Sequence, residues 1–194
     1  MARRTIAAVL GLALISVCSR HVRAEAPLTI RIRIYDAPGI PIERMNRSET
    51  RVVAIFHRVG IQVVWRDCRR SATPVAACGD APESTEALVR LVAGPPVASI
   101  HACGMALLPA TGTAHYITIF VDCIRDAVDT LRTPEEILLA GAIAHEIGHL
   151  LLGPAHSPVG LMQASPRPID WTRAAFTDRE AQQMRYALIE GEAR

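Results

Sequence analysis

The sequence predicts a single α/β domain built on a mixed sheet, and three observations carry that expectation. Strand-like alternation or β-branched runs recur at residues 28–35, 61–65, 85–93 and 115–121. A stretch of helical periodicity lies between the first two of these, and a long apolar helix pattern follows the last. A β-α-β-β-β order closed by a long helix gathers helices and strands around one sheet.

The elements follow in order. Leu28 to Tyr35 (LTIRIRIY) alternates apolar and polar residues, the pattern of a half-buried strand, and Asp36-Ala37-Pro38-Gly39 turns the chain. From Pro41 to Val59 the apolar residues Ile42, Met45, Val52, Val53, Ile55, Phe56 and Val59 fall at near-helical spacing, and Gly60 ends the run. Ile61 to Trp65 is a second strand, rich in β-branched residues. Residues 67–84 form a loop with two cysteines and several Pro, Gly and Ser. Thr85 to Ala93 is a third strand, closed by Gly94-Pro95-Pro96. Ile100 to Leu108 is ambiguous, and His115 to Val121 (HYITIFV) is the clearest strand. At Thr133-Pro134-Glu135-Glu136 a helix begins, with Thr133 placed to cap it and Glu136 where a capping box sets its carboxylate. That helix runs to Leu152 and stops at Gly153. Residues 154–171 hold four prolines and read as a structured loop. A last amphipathic helix covers Asp178 to Ile189. No internal repeat or low-complexity tract occurs.

The first 24 residues read as a signal peptide, which leaves 25–194 as the folded domain. Arg3 and Arg4 precede the weakly polar to apolar run Thr5 to Cys18, and Val22-Arg23-Ala24 offers a cleavage site. The run is short for a bilayer span; an uncleaved anchor is the alternative. All 21 basic residues are Arg, and four of them (Arg3, Arg4, Arg20 and Arg23) lie in this leader. Without them 17 basic residues face 19 acidic ones, a formal net of −2 in place of +2. Such a balance is no footprint for nucleic acid or an anionic membrane surface. A secreted or periplasmic location is expected, with no stable membrane association after cleavage. Cys68, Cys78, Cys103 and Cys123 remain, an even number in an exported chain. Cys68–Cys78 and Cys103–Cys123 are the favoured pairs because each closes a local loop.

The chemistry sits on the long helix. His145, Glu146 and His149 form H-E-x-x-H. Four residues make slightly more than one turn, so both imidazoles leave the same face and can bind one Zn²⁺. Glu146 is aimed beside such a metal and can take a proton from the attacking water. Around it, Leu138 to Leu152 is otherwise almost wholly Leu, Ile, Ala and Gly, so the helix is buried. A buried Glu between two histidines is costly without a metal.

From His149 the chain reads Leu150-Leu151-Leu152-Gly153-Pro154-Ala155-His156, then on to Leu161-Met162. Residues 133–163 resemble the metzincin clan of zinc peptidases, most closely its matrixin-like branch and small exported bacterial proteins with similar HEIGHLLLG segments. The resemblance implies a single zincin-like domain: a mixed sheet on two long helices, and a small C-terminal subdomain with a methionine turn and terminal helix. It implies His145, His149 and His156 as zinc ligands, Glu146 as general base, Gly153 as the turn and Met162 as the turn methionine. A zinc endopeptidase acting on peptide or protein substrates, as a monomer, is the function it points to. The chain departs from the clan by one residue, with three rather than two between His149 and Gly153. That departure leaves Asp170 as a rival third ligand.

Other residues carry weaker signals. His57 and His101 read as core or surface residues. The HYITIFV segment is either the edge strand that pairs with extended substrate or an interior strand. Asp122, Asp126 and Asp129 lack the glycine and glutamate of a calcium loop and read as a solvated turn. Trp171 and the last helix read as packing.

Overall fold

A computed structural model describes residues 26–35, 39–69, 78–94, 103–108, 115–164 and 170–192. The leader, the Asp36–Pro38 part of the first turn and His101 lie outside the described residues. The elements are β1 (Thr29–Tyr35), α1 (Ile42–His57), β2 (Gln62–Asp67), β3 (Glu86–Val92), β4 (Gly104–Leu107), β5 (Tyr116–Phe120), α2 (Val121–Leu131), α3 (Glu135–Leu152) and α4 (Asp178–Glu192).

The five strands form one mixed sheet in the order β2-β1-β3-β5-β4. The first four are parallel, and β4 runs antiparallel to β5 along the edge. The expected α/β class with a mixed sheet is what the chain adopts. One face of the sheet is apolar because alternate residues of each strand point the same way. Ile30, Ile32 and Ile34 of β1 line up with Ala87 and Val89 of β3 and with Val63 of β2, all buried. Against this face pack α1, through Met45, Val52, Ile55 and Phe56, and α3, through Leu139, Ile143 and Ile147. Each such aliphatic side chain withdrawn from water contributes roughly 1.5–3 kcal/mol.

Several sequence expectations need correction. Asp122, Asp126 and Asp129 lie on α2, not in a turn. Val121, Ile124, Val128 and Leu131 recur at helical spacing on its inner side and hold it against α3, with Asp126 and Asp129 facing solvent. Thr133 does not cap α3: its hydroxyl donates to the Leu131 carbonyl, and Pro134 is the capping residue. Glu136 accepts from Arg47 of α1 and from its own N–H rather than closing a capping box with Thr133. The HYITIFV strand is interior, and the edge falls to β4, inside the ambiguous stretch.

The alternation in β1 also hides a buried charge. Arg33 faces away from α1 and α3 yet is 2% exposed, because residues 78–86 fold over that side. Its guanidinium donates to both carboxylate oxygens of Glu86 and to the Asp80 carbonyl. The same segment is anchored by the Cys68–Cys78 disulfide and by the Tyr35 hydroxyl, which donates to the Cys78 carbonyl at 2.8 Å. Cys103–Cys123, the second expected pair, joins the start of β4 to α2.

Candidate metal centre

Helix α3 places His145, Glu146 and His149 at the heart of the molecule. Glycines let other groups come close to it: a Cβ on Gly141 would stand 2.8 Å from the Trp171 ring, and one on Gly148 would strike the Met162 sulfur. Gly153 ends the helix with φ +85°, a backbone conformation that side chains other than glycine's rarely adopt. Its own N–H closes on the His149 carbonyl while the chain turns back. The turn brings His156 round to the two helix histidines despite the extra leucine, and the three offer ligand nitrogens within 4.8 Å of one another.

The imidazoles are oriented by main-chain carbonyls. His145 Nδ1 lies 2.7 Å from the Leu161 carbonyl, and His149 Nδ1 lies 2.9 Å from the Gly153 carbonyl. A carbonyl only accepts, so both Nδ1 atoms carry the hydrogen, and both Nε2 atoms present lone pairs. Those lone pairs converge, with His149 Nε2 3.1 Å from that of His145 and 3.2 Å from that of His156. Two bare lone pairs at such a distance repel unless a cation joins them. Burial makes the proton a poor candidate, since it holds the His145 imidazole down to about 4 against the help of the Leu161 carbonyl. A tetrahedral zinc with bonds of about 2.0–2.1 Å sets its ligand nitrogens about 3.3 Å apart, close to both separations. The donor set fits zinc.

Glu146 leans out of this cluster toward β4. It is buried, and its carboxylate accepts a hydrogen bond from the Ala106 N–H. Burial prevails over that bond and pushes the carboxyl up to about 7, within the range a general base uses at neutral pH. Below the histidines, Met162 is 1% exposed against Gly148, and its carbonyl accepts from the Ser157 N–H at 2.8 Å. Ser157 also donates through its hydroxyl to Glu180 of α4. Glu180 in turn accepts from the Thr177 N–H, while the Thr177 hydroxyl accepts from the Glu180 N–H, a capping box at the start of α4.

Asp170 takes no part in the cluster. It is exposed, and its carboxylate accepts from the Thr172 N–H and hydroxyl. His57 is exposed on α1, and His115 is tied to the Glu86 carbonyl at 2.8 Å. Three contributors escaped the sequence reading. Gly104 and Ala106 sit in a stretch with no clear period. Glu180 does have a signal, the T-x-x-E of Thr177-Asp178-Arg179-Glu180.

No protein-family model matches the chain, and no curated protein matches it in sequence. Its fold does have solved counterparts. The crystal structure of archaemetzincin from Methanopyrus kandleri superposes with a TM-score of 0.53 at 17% identity, covering 86% of this chain and 99% of that one. The chain therefore shares the zincin-like mixed α/β fold of that archaemetzincin. At that identity the likeness concerns the fold alone, and it does not bear on a matrixin-like placement.

Proposed function

We propose that this protein is an exported zinc-dependent endopeptidase. The observation that carries the reading is the pair of anchored imidazoles whose lone pairs converge beside a buried carboxylate. In this reading His145, His149 and His156 hold the metal. A zinc ion there supplies Lewis acidity, polarising a substrate carbonyl and making water easier to deprotonate. Glu146 takes the proton of the attacking water and later returns it to the leaving amine. The zincin-like fold and the intact carboxylate both support catalysis over metal storage, which needs no such base.

An extended peptide or protein substrate would lie along β4, the sheet edge next to α3. Residues 1–24 act as the leader, and the domain works as a monomer outside the cytoplasm. Two disulfides suit such a compartment, and no helix among the described residues is long and apolar enough to cross a membrane. A matrixin-like placement within the metzincins rests on the resemblance of residues 133–163 alone.

Metal analysis of the purified protein, paired with Glu146→Gln on a generic protein substrate, tests the reading. About one zinc per chain is expected in both, with activity reduced roughly 10²–10⁴-fold in the variant. A zinc-free protein would overturn the reading. Zinc without any hydrolysis would reduce it to a metal-binding protein on the same fold.

A further inference from the structure

The edge strand β4 touches Glu146 in a way that neither the metal cluster nor the fold requires. Strand pairing alternates between residues that bond across and residues that face outward. Phe120 N–H donates to the Cys103 carbonyl, and Met105 stands opposite Thr118, so Cys103 and Met105 use their backbone groups toward β5. Gly104 and Ala106 therefore turn theirs off the sheet. The outward Ala106 N–H is the one that Glu146 accepts. Beside it, Gly104 leaves the space the carboxyl occupies: a Cβ there would lie 2.6 Å from both Glu146 Cγ and Oε1. Real Cβ atoms do not approach so closely, and Glu146, only 6% exposed, has little open space to retreat into. The residue next to Gly104 is Cys103, joined to Cys123 on α2, so the strand is tied at the end nearest the contact.

We propose that β4 is the positioning element of the general base, with Gly104 supplying space, Ala106 the hydrogen bond and Cys103–Cys123 the tether. The proposal rests on the reading of Glu146 as that base. It makes Gly104 and Ala106 positioning residues that act through Glu146, a role separate from any pairing of the β4 edge with substrate. It also assigns the two disulfides different duties. Cys68–Cys78 holds the cover over Arg33, far along the sheet from β4, whereas Cys103–Cys123 governs the site.

Metal-free protein tests the contact without catalysis. Gly104→Ala is expected to lower Tm by several degrees in the wild-type background and hardly at all in Glu146→Ala, where the side chain it strikes is gone. The Ala106 amide is expected to exchange its hydrogen slowly, and at least about tenfold faster in Glu146→Ala. In the zinc-loaded protein, Gly104→Ala should lower kcat about 10²-fold on a fluorescent protein substrate, with KM and zinc content kept. It should not further lower the residual rate of Glu146→Gln. The Cys103→Ser, Cys123→Ser pair should show the same pattern and Cys68→Ser, Cys78→Ser should not, which provides a second route if Gly104→Ala does not fold. Equal Ala106 exchange with and without the Glu146 side chain, or equal loss of rate in both Glu146 backgrounds, would overturn the proposal. Full activity in Glu146→Gln would instead defeat the base reading, while the Tm and exchange results still decide the contact.

Discussion

Single residues decide whether the cluster is a metal site, and two of them make separable predictions. His156 comes within reach of His149, whereas Asp170 spends its carboxylate on Thr172. His156→Ala is therefore expected to lose most of the bound zinc and Asp170→Ala to keep it, as read by elemental analysis. The reverse result would move the third ligand. Glu146 carries a pH signature in the metal-free protein. Its carboxyl goes from 4.5 to about 7 on folding, so the folded state holds the proton more tightly than the unfolded one. The penalty is absent below the unfolded value, grows as pH rises through the interval, and is complete above about 7, at roughly 3 kcal/mol. Glu146→Gln, measured by urea denaturation with chelator present, is expected to stabilise the protein near pH 8 and to be neutral near pH 4. Equal effects at the two pH values would mean the carboxyl is not desolvated.

Elements position these residues through their ends more than their middles. The loop carrying His156 is held to α4 where the Ser157 hydroxyl meets Glu180, and Glu180 also closes the capping box with Thr177. Glu180→Ala removes a cap and an anchor together. A loss of about 1–2 kcal/mol is expected from denaturation curves. Weaker zinc affinity should accompany it in a competition titration, because the third histidine loses its tether. Thr177→Ala, which removes only the cap's hydroxyl, should cost stability while sparing affinity. Were both variants to lower affinity alike, helix integrity rather than the Ser157 contact would be responsible. The start of α3 shows the opposite economy of means: Pro134 leads the helix without a side-chain cap, and Glu135 and Glu136 pair with Arg44 and Arg47 of α1.

Across the whole molecule the chain is stapled at two places that serve different ends. Each disulfide closes a short loop, with sequence separations of 10 and 20, and each contributes about 3 kcal/mol by loop-closure entropy. Mass spectrometry of the protein recovered from its export compartment should find no alkylatable thiol before reduction; four free thiols would remove both staples. Local patterning in the chain was enough for much of this architecture. Period-two alternation in β1, helical spacing in α1 and the apolar run of α3 are short-range properties, and His145, Glu146 and His149 lie on one face of one helix. The cysteine pairs were legible for the same reason, since each bridges neighbours in sequence. What depended on distant partners was not. Arg33 reads as a solvent-facing strand residue until residues 78–86 cover it, and the aspartates of α2 read as a turn until α3 buries the other side. Met105 and its neighbours carry no clear period, because a four-residue edge strand owes its place to the ladder with β5 rather than to its own pattern. The contact of Gly104 and Ala106 with Glu146 is of that kind as well: residues about forty apart in the chain meet only because the sheet edge and α3 pack together, and no local periodicity encodes that packing.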